Sequence, residues 1–462
     1  MQPKWGSKIG FILATAGSAI GLGNIWRFPY LAGQYGGGAF LLLYLLCVVG
    51  LGYFMLTAKL AFGRSARTNI VDGFRVAGIK NGKTVSRLWG ILGGWLSFVT
   101  GVMISSVYVV VIGWTLSYVV EGACLWLGIS GHQIDKALFE RLTASFGYQW
   151  FWGFLCIVIT TLILIKGVKK GIERVSLYLM PILFCLLLFL LMWMIFMPGA
   201  ERGILFFLRP DWTKVGWTTA GFDGHLFLRA LLNVFGQAIY SLSLGMGVVF
   251  VYGSYLDKGT DIKASARWIV GLDTLVAFLA GMIVLPATFV FGLEAGQGPA
   301  LSFISLPLIF NQMVGGSFLM LLFFVLLFLA GLTSLLSVGE ALINLTSDFL
   351  KIERWQATLV VGGMSLIGIT IVLLSFTGVW PLRVGDQNLF DFINGITGDY
   401  MMPLMIFVCC LFMGWRIYPI VVATLGQGRG HQSKAFKLYL GFVLRWLAPI
   451  VVATVCIGTL FG

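Results

Sequence analysis

Charged side chains are scarce in this chain of 462 residues. Asp, Glu, Lys and Arg together make up 11% of it, whereas hydrophobic residues make up 59% and the mean hydropathy is +0.95. A water-soluble domain of ordinary size has far more polar surface than this composition supplies. The balance excludes an ordinary soluble protein and predicts a membrane protein.

The residue patterns that carry soluble-enzyme chemistry are also missing. The chain has three histidines, and its seven cysteines lie mostly in apolar segments without metal-ligand spacing. The sequence contains no nucleotide-binding loop or serine-nucleophile elbow, and no glycine-rich fragment follows a predicted strand. We therefore expect no enzyme activity.

Long apolar segments dominate what is present. A membrane-spanning helix takes about 20 apolar residues. The sequence predicts eleven such segments, near residues 9–32, 39–62, 89–120, 150–165, 175–198, 227–255, 268–292, 317–347, 358–379, 399–418 and 438–461. The first is not expected to be a cleavable signal peptide, because Arg27 and Pro29 follow its apolar stretch and no small-residue cleavage site appears. The predicted fold class is an all-α polytopic membrane protein.

The basic residues behind the net charge of +13 are distributed according to the predicted topology. If the N-terminus is cytoplasmic, most of the 31 Lys and Arg residues fall in loops on the cytoplasmic side. This asymmetry indicates orientation by the positive-inside rule, so nucleic-acid binding is not expected. An odd number of spans then places the C-terminus outside.

Glycine interrupts two of the apolar segments at matching positions. The first interruption is "GSAIGLGN" at residues 17–24, and the second is "SLSLGMGVVF" at residues 241–250. Each interrupted segment opens a group of five, and because five is odd the second group threads the membrane in the opposite sense. Such pairs point to a transporter's binding site, where freed backbone NH and carbonyl groups become ligands. Close packing of helices through small residues is the alternative.

Several motifs connect the chain with a known family. They are "GFILATAGSAIGLGNIWRFPY" (10–30), "GGGAF" (36–40), "YSLSLGMG" (240–247), "AGLTS" (330–334) and "FD" (390–391). With them the chain resembles the neurotransmitter:sodium symporter family, and is most similar to its bacterial eleven-helix carriers of several hydrophobic amino acids. The resemblance implies the leucine-transporter fold, with two inverted five-helix repeats plus one extra helix. The expected organisation is a single transport domain over 1–462, with repeats at 1–200 and 225–420 and an eleventh helix at 436–462.

The resemblance implies two sodium ions. One site would use the backbone carbonyls of Gly17, Ile20 and Ala330 with the hydroxyls of Thr333 and Ser334; ordinary back-bonding of these hydroxyls within their own helix is the alternative. The other site would use the carbonyl of Ala19 and the side chains of Asn24, Ser241 and Asp273, completed by the carboxylate of the cargo. Oxygen ligands suit a hard alkali cation. Chloride-dependent relatives carry asparagine at the position of Asp273, so chloride independence is expected.

The resemblance also implies a pocket for a neutral L-amino acid with a hydrophobic or aromatic side chain. Gly21 stands where the family's amine carriers have aspartate, which leaves room for a cargo with its own carboxylate. The hydroxyl of Tyr108 would meet that carboxylate, unless this tyrosine is a packing or lipid-facing aromatic. The substrate site would be formed by Ala19, Gly21, Gly23, Ile104, Tyr108, Tyr240, Ser241, Ser243, Gly245, Met246, Thr333 and Val338.

Gates are implied on both sides of this pocket. Arg27 and Asp391 resemble an outer charged pair, with Tyr108 and Tyr240 as an aromatic lid. Trp5 and Asp348 resemble a cytoplasmic latch supported by Tyr255. The basic residue usual in that latch falls at Gln2, so either Lys4 substitutes for it or the latch is weaker.

Two further features have open interpretations. Gly171 and Pro181 match the family's spacing for a helix that unwinds to admit water to the sodium site, and an ordinary proline kink is the alternative. Lys59 stands where relatives usually carry glutamate. It either reaches the inner surface near Arg64 or pairs with a buried acid.

These features together predict sodium-coupled import of amino acids by alternating access across a bacterial inner membrane. The expected partners are the amino-acid cargo and membrane lipid, and no oligomer is required. An amino-acid sensor on the same fold, without net transport, is the alternative. A channel would need a continuous polar pore with rings of like residues, which the sequence does not offer.

Overall fold

Helices form almost all of the regular structure. The computed structural model describes residues 3–77, 86–135, 137–219, 221–292, 301–427 and 432–461. The α-helices of the first half are α1 (Lys8–Ala19), α2 (Phe28–Gln34), α3 (Gly38–Cys47), α4 (Tyr53–Ala66), α5 (Ile70–Ala77), α6 (Ser86–Trp89), α7 (Leu96–Trp126), α8 (Leu138–Ala144), α9 (Phe146–Leu164), α10 (Arg174–Ile195) and α11 (Ala200–Leu208). Those of the second half are α12 (Gly224–Ser241), α13 (Val248–Ser254), α14 (Ile262–Val290), α15 (Leu306–Asn311), α16 (Gly316–Leu350), α17 (Arg354–Phe376), α18 (Leu389–Gly395), α19 (Met402–Leu411), α20 (Tyr418–Gly426), α21 (Lys434–Phe442) and α22 (Ala448–Phe461).

Short segments of other geometry connect these helices. Wider π-helical turns lie at Gly23–Arg27, Val48–Gly52, Gly90–Trp95, Val168–Glu173, Leu301–Ser305, Ile396–Met401, Phe412–Arg416 and Val443–Leu447, and a 3-10 turn lies at Trp212–Val215. Two antiparallel hairpins pair β1 (Trp217–Thr218) with β2 (Gly221–Phe222) and β3 (Arg383–Val384) with β4 (Gln387–Asn388). Both hairpins are too short to form a sheet core, so the domain is built by helix packing.

Nine helical stretches in the described ranges are long and apolar enough to cross a membrane. They are Gly38–Ala66, Gly90–Trp126, Phe146–Leu164, Val168–Ile195, Ile262–Val290, Gly316–Leu350, Arg354–Phe376, Leu389–Arg416 and Lys434–Gly458. A tenth is the bent pair Lys8–Ala19 and Gly23–Gln34. The remaining predicted segment, 227–255, is α12 and α13 separated by the non-helical residues 242–247. The count of eleven spans therefore stays a prediction.

Burial separates central helices from peripheral ones. In the most apolar window of Gly316–Leu350, 72% of the residues are buried, against 28% in Val168–Ile195. The peripheral stretch exposes large apolar side chains such as Phe189 and Trp193, as a lipid-facing helix does. The long helix α16 packs along α7, while α1 contacts α10, α14 and α16. The centre of the bundle is thus formed by α1, α7, α14 and α16.

Both predicted interruptions are present at this centre. The first helix bends by 51° between Ala19 and Gly23, and Ile20 leaves the helix with φ −72° and ψ 95°. In the second interruption, Ser243 has the left-handed φ of 51°, which is uncommon for a residue other than glycine. Each break frees backbone polar groups in the middle of the bundle, where buried partners must satisfy them.

Candidate functional site

A buried carboxylate lies beside both breaks. Asp273, near the middle of α14, accepts hydrogen bonds from Asn24 Nδ2 at 2.8 Å and from Ser241 Oγ at 2.7–2.8 Å. Asn24 Nδ2 also lies 3.0 Å from Ser241 Oγ. Asn24 follows the first break and Ser241 ends α12 at the second, so this cluster links the two broken helices. The structure therefore brings together the three predicted side chains of one sodium site.

The carboxylate of Asp273 has no basic partner among the described residues. Its exposed fraction is 0%, and the ion pairs of the described chain do not include it. Burying a charged carboxylate without a counter-charge is costly, so such a group binds a cation or takes up a proton. Tyr44, which the sequence analysis missed, also donates to Asp273 at 3.4 Å. Its polar hydroxyl among the apolar residues of α3 was the available signal.

A second group of oxygen atoms lies between α1 and α16. The hydroxyl of Ser334 is 3.4 Å from the carbonyl of Gly17 and 3.5 Å from that of Ile20. The hydroxyl of Thr333 is 3.0 Å from the carbonyl of Ala330. Hard cations are held by oxygen ligands at about 2.4 Å. Two such ligands at right angles around one ion lie about 3.4 Å from each other. The distances around Ser334 therefore fit an alkali cation as well as they fit weak hydrogen bonds. The Thr333 hydroxyl makes ordinary hydrogen bonds within its own helix, to the carbonyls of Leu329 and Ala330.

A small cavity lies beside these oxygen atoms. Nine of the twelve predicted substrate residues line it: Ala19, Gly21, Gly23, Ile104, Tyr108, Tyr240, Ser243, Met246 and Val338. Ser18, Ser105, Ser334 and Leu335 line it as well. The other three predicted residues lie outside the lining, because Ser241 belongs to the Asp273 cluster, Gly245 packs against Met402 and Thr333 faces Gly17. The walls are mostly apolar, with a few hydroxyl groups at one end.

Gly21 and Tyr108 meet at that polar end. A Cβ atom added to Gly21 would lie 2.7 Å from Ser334 Oγ and 3.0 Å from the Tyr108 hydroxyl, so a side chain here would displace these hydroxyls. The Tyr108 hydroxyl also lies 3.4 Å from the backbone nitrogen of Leu22. Tyr108 therefore points into the break of the first helix rather than toward lipid.

A wide vestibule continues from the cavity on one side. Its volume is about 1020 Å³, and it shares Gly23, Tyr108 and Tyr240 with the cavity. Arg27 and Asp391 both line it, but they form no ion pair; Arg27 lies over the Tyr240 ring, 5.5 Å from its centroid. Asp391 instead accepts from Asn388 at 2.8 Å. The proposed outer pair is thus apart, and the cavity opens toward this vestibule.

Aromatic residues pack together at the end of α13. Trp5 donates from Nε1 to the carbonyl of Tyr252 at 3.1 Å, and its ring lies 6.5 Å from that of Tyr255. Asp348 does not join Trp5, since it accepts from Asn69 at 3.0 Å. Lys4 lies 3.8 Å from Asp257, with both side chains largely exposed. Gln2 lies outside the described residues.

A buried ion pair lies beside Tyr255, and the sequence analysis missed it. Tyr255 donates to Glu340 at 2.7 Å, and Arg354 donates to both oxygens of Glu340 at 2.9 and 2.5 Å. Glu340 is fully buried on α16. It is an acid within an apolar helix, as Asp273 is, and that was the signal in the sequence. The difference is that Glu340 has its own cation.

The stretch between Gly171 and Pro181 is helical. Gly171 lies in the π-helical turn Val168–Glu173, and Pro181 lies inside α10. Glu173, at the end of that turn, accepts from the backbone nitrogen of Gly6 at 2.6 Å and from Ser7 Oγ at 2.8 Å. The N-terminal segment is therefore tied to the stretch for which unwinding was predicted.

Lys59 adopts neither of the two predicted arrangements. Its ammonium donates to the carbonyls of Leu244 and Met246, at 2.6 and 2.7 Å, inside the bundle. It does not reach the surface, and it forms no ion pair with any acid that the structure describes. Its partners are backbone carbonyls, and the sequence does not indicate the direction in which a carbonyl points.

Two interrupted helices around a buried, oxygen-lined centre define a membrane transporter of the broken-helix class. Comparison with known proteins gives the family. A family-wide model described as the sodium:neurotransmitter symporter family matches residues 2–129 and 145–460, and the chain belongs to that family. The predicted family is thus confirmed.

Relatives agree with this membership along the whole chain. An uncharacterized sodium-dependent transporter of Haemophilus influenzae is 31% identical, covering 99% of this chain and 98% of its own length. The uncharacterized sodium-dependent transporter YhdH of Bacillus subtilis is 33% identical, covering 98% of this chain and 96% of its own length. The crystal structure of MhsT in complex with L-phenylalanine is similar with a TM-score of 0.84 and 32% identity, over 99% of this chain and 100% of that one.

These findings define the protein at a coarse level. It is a sodium-dependent transporter with a small-molecule substrate, integral to a membrane, and it is not an enzyme. The predicted all-α leucine-transporter fold is confirmed by the likeness to MhsT.

Proposed function

We propose that this protein imports neutral L-amino acids with hydrophobic or aromatic side chains, driven by two sodium ions and without chloride. The observation that carries the proposal is Asp273, a fully buried carboxylate that contacts both broken helices and has no basic partner in the described chain. A sodium ion beside it would neutralise the charge. A cargo carboxylate sharing that ion would then raise sodium affinity, and sodium would raise cargo affinity by the same factor.

The first ion would be held by Asn24, Ser241 and Asp273 with the carbonyl of Ala19. The second would be held by Gly17, Ile20, Ala330, Thr333 and Ser334, the group of oxygen atoms between α1 and α16. Because Asp273 is a fixed negative charge at the first ion, no chloride is needed to balance it.

The cavity supports an amino-acid cargo. The Tyr108 hydroxyl and the backbone nitrogen of Leu22 would donate to its carboxylate, and the absence of a side chain at Gly21 lets the Tyr108 and Ser334 hydroxyls lie this close to the break. Ile104, Met246 and Val338 would surround an apolar side chain, and Met246 adapts to different shapes. L-phenylalanine in the similar MhsT structure agrees with such a cargo.

Alternating access would use the two sides of the cavity in turn, by motion between the inverted repeats at 1–200 and 225–420. Asp223, at the start of α12, lines the vestibule, while Tyr255, after the end of α13, lies near Trp5. The vestibule and the N-terminal segment are therefore at opposite ends of the broken helix. With the N-terminus cytoplasmic and the C-terminus outside, the vestibule faces outward across a bacterial inner membrane.

Uptake into liposomes tests the proposal. The purified protein is reconstituted, and accumulation of radiolabelled L-phenylalanine is measured with an inward sodium gradient, with choline in place of sodium, and with gluconate in place of chloride. We expect accumulation with sodium, in either anion, and competition by other hydrophobic amino acids. Equal accumulation in choline would contradict sodium coupling, binding without accumulation would indicate a sensor, and flux without a gradient would indicate a channel.

A further inference from the structure

A single buried lysine holds the interruption of the second broken helix. Lys59 on α4 is 2% exposed, and its ammonium bonds the carbonyls of Leu244 and Met246. Both carbonyls belong to residues 242–247, which have left the helix. Their backbone groups therefore lack helical partners, and the lysine supplies two of the replacements.

Two other contacts fix the same residues. Ser243 keeps its left-handed backbone while its Oγ donates to the carbonyl of Ser18 at 2.9 Å, across to the first helix. Gly245 packs so closely on Met402 that an added Cβ would lie 2.5 Å from the Met402 Cβ. Residues 242–247 are thus held from three directions, and Lys59 provides the charged contact.

The side chains of these residues form part of the cavity wall. Ser243 and Met246 line the cavity, and the carbonyl of Met246 is one of the two that Lys59 binds. Rotation of that peptide would move the Met246 side chain with it. The position of the lysine ammonium therefore determines where this wall stands.

The cost of burying its charge indicates that Lys59 orients backbone groups rather than stabilises the fold. A buried ammonium without an acid loses its hydration and regains only part of it from carbonyl oxygens. An apolar side chain of similar length would avoid that cost. What an apolar side chain cannot do is hold two carbonyls in one orientation, since it has no hydrogen to donate.

We propose that Lys59 is a positioning residue that sets the shape of the cargo cavity, and with it the range of side chains accepted. This inference rests on the proposed amino-acid transport. The ammonium holds the carbonyls of residues 244 and 246 in one orientation. This fixes how far the Met246 side chain extends into the cavity. Removing the donor frees residues 242–247, so the cavity loses its preference among cargo sizes.

The test compares Lys59→Met with Lys59→Arg and with Thr57→Val as a matched control. Thr57 is equally buried on the same helix, and its hydroxyl bonds only the carbonyl of Tyr53 one turn earlier. Uptake KM and maximal rate are measured for L-phenylalanine, L-leucine and L-alanine, together with hydrogen exchange of the backbone amides at 242–247. For Lys59→Met we expect a KM for L-phenylalanine raised at least tenfold, a maximal rate within threefold of wild type, and faster exchange at these amides. Lys59→Arg keeps a cationic donor, so we expect it to restore most of the affinity, and Thr57→Val should match the wild type.

The inference is overturned if Lys59→Met keeps the wild-type ratios of KM among the three cargoes, whether or not the KM values themselves change, or if exchange of the backbone amides at 242–247 is unchanged. If Lys59→Met does not purify as a folded protein, Lys59→Leu replaces it, because leucine also lacks a donor, with the same expected rise in KM and the same contradicting result. Failure of the proposed function has a separate signature, because the wild type itself would then accumulate none of the three amino acids.

Discussion

Asn24 and Asp273 are joined across the centre of the bundle: the side-chain nitrogen of Asn24 lies 2.8 Å from Oδ1 of Asp273 and 3.0 Å from its backbone oxygen. One residue follows the break of the first helix and the other sits in the middle of α14. Because Asn24 uses its donor here, its side-chain oxygen is turned toward the break, 3.4 Å from the nitrogen of Gly21. The Asn24 side chain therefore bonds the Asp273 carboxylate through its nitrogen and presents its oxygen, a ligand that suits an alkali cation, to the break.

Replacing Asp273 with asparagine should make transport depend on chloride. The variant keeps the size of the side chain and its contacts with Ser241 but loses the fixed negative charge. A mobile anion is then needed to balance the sodium ion and the cargo. We expect uptake in gluconate to fall at least tenfold and to recover in chloride, measured as initial rates in liposomes with a sodium gradient.

Asp135→Asn is the control for this change. Asp135 lies in a loop outside the spans, 2.6 Å from Arg141, and hydrogen bonds from Arg141 lower the pKa of its carboxyl. It is therefore a charged carboxylate at neutral pH, but far from the breaks in sequence and exposed. With Asp135→Asn, initial uptake rates should be the same in gluconate and in chloride. If Asp273→Asn also gives equal rates in the two anions, Asp273 does not have the proposed role.

Removing the hydroxyls of Thr333 and Ser334 together should weaken sodium activation. The double variant Thr333→Val and Ser334→Ala keeps α16 intact and deletes two of the five proposed oxygen ligands of the second ion. We expect the sodium concentration for half-maximal uptake to rise at least tenfold, since each lost ligand of a charged group costs on the order of 1 kcal/mol or more. The matched variant is Thr346→Val on the same helix, whose buried hydroxyl has no partner in the structure. Unchanged sodium activation in the double variant would exclude these hydroxyls as ligands.

A methyl group at Gly21 should weaken cargo binding. The added carbon would lie 2.7 Å from Ser334 Oγ and 3.0 Å from the Tyr108 hydroxyl, which is too close for either to stay in place. We expect Gly21→Ala to weaken L-phenylalanine binding more than tenfold, measured by scintillation proximity in saturating sodium. Gly363→Ala on α17 meets no atom within 4 Å and should bind as the wild type does. Wild-type affinity in Gly21→Ala would show that the cargo carboxylate lies elsewhere.

Features that follow from local sequence could be predicted. The two breaks are marked by glycine clusters, and Asp273 stands out because a lone acid in an apolar segment is costly. The family motifs place Asn24, Ser241, Thr333 and Ser334 without any knowledge of the fold. These residues come together in the structure because their segments pack at the centre of the bundle.

Features that depend on the relative position of helices could not be predicted. Glu340 is as conspicuous in the sequence as Asp273, but its partner Arg354 lies beyond the end of α16, and only the turn into α17 brings the two together. The partners of Lys59 are backbone carbonyls, which no residue type announces. Arg27 and Asp391 are separated because the cavity is open toward the vestibule that both residues line. The sequence is the same in the open and the closed state, so it cannot predict which of the two the structure has.

The two buried acids should respond differently to loss of charge balance. Arg354→Met leaves Glu340 buried beside Tyr255 without its cation, and breaking a buried pair in this way costs about 3–5 kcal/mol. Asp273 has no protein cation to lose, so Asp273→Asn in sodium-free buffer removes an unbalanced charge and should leave the thermal midpoint equal to or above that of the wild type. Scanning fluorimetry in detergent without sodium measures the thermal midpoint of both variants.

The double variant Glu340→Met and Arg354→Met removes both charges and should recover most of the thermal stability lost in Arg354→Met. If Arg354→Met unfolds at the wild-type temperature while Asp273→Asn unfolds well below it, then Asp273 is balanced by a group within the protein, and the argument that its charge awaits a sodium ion is wrong.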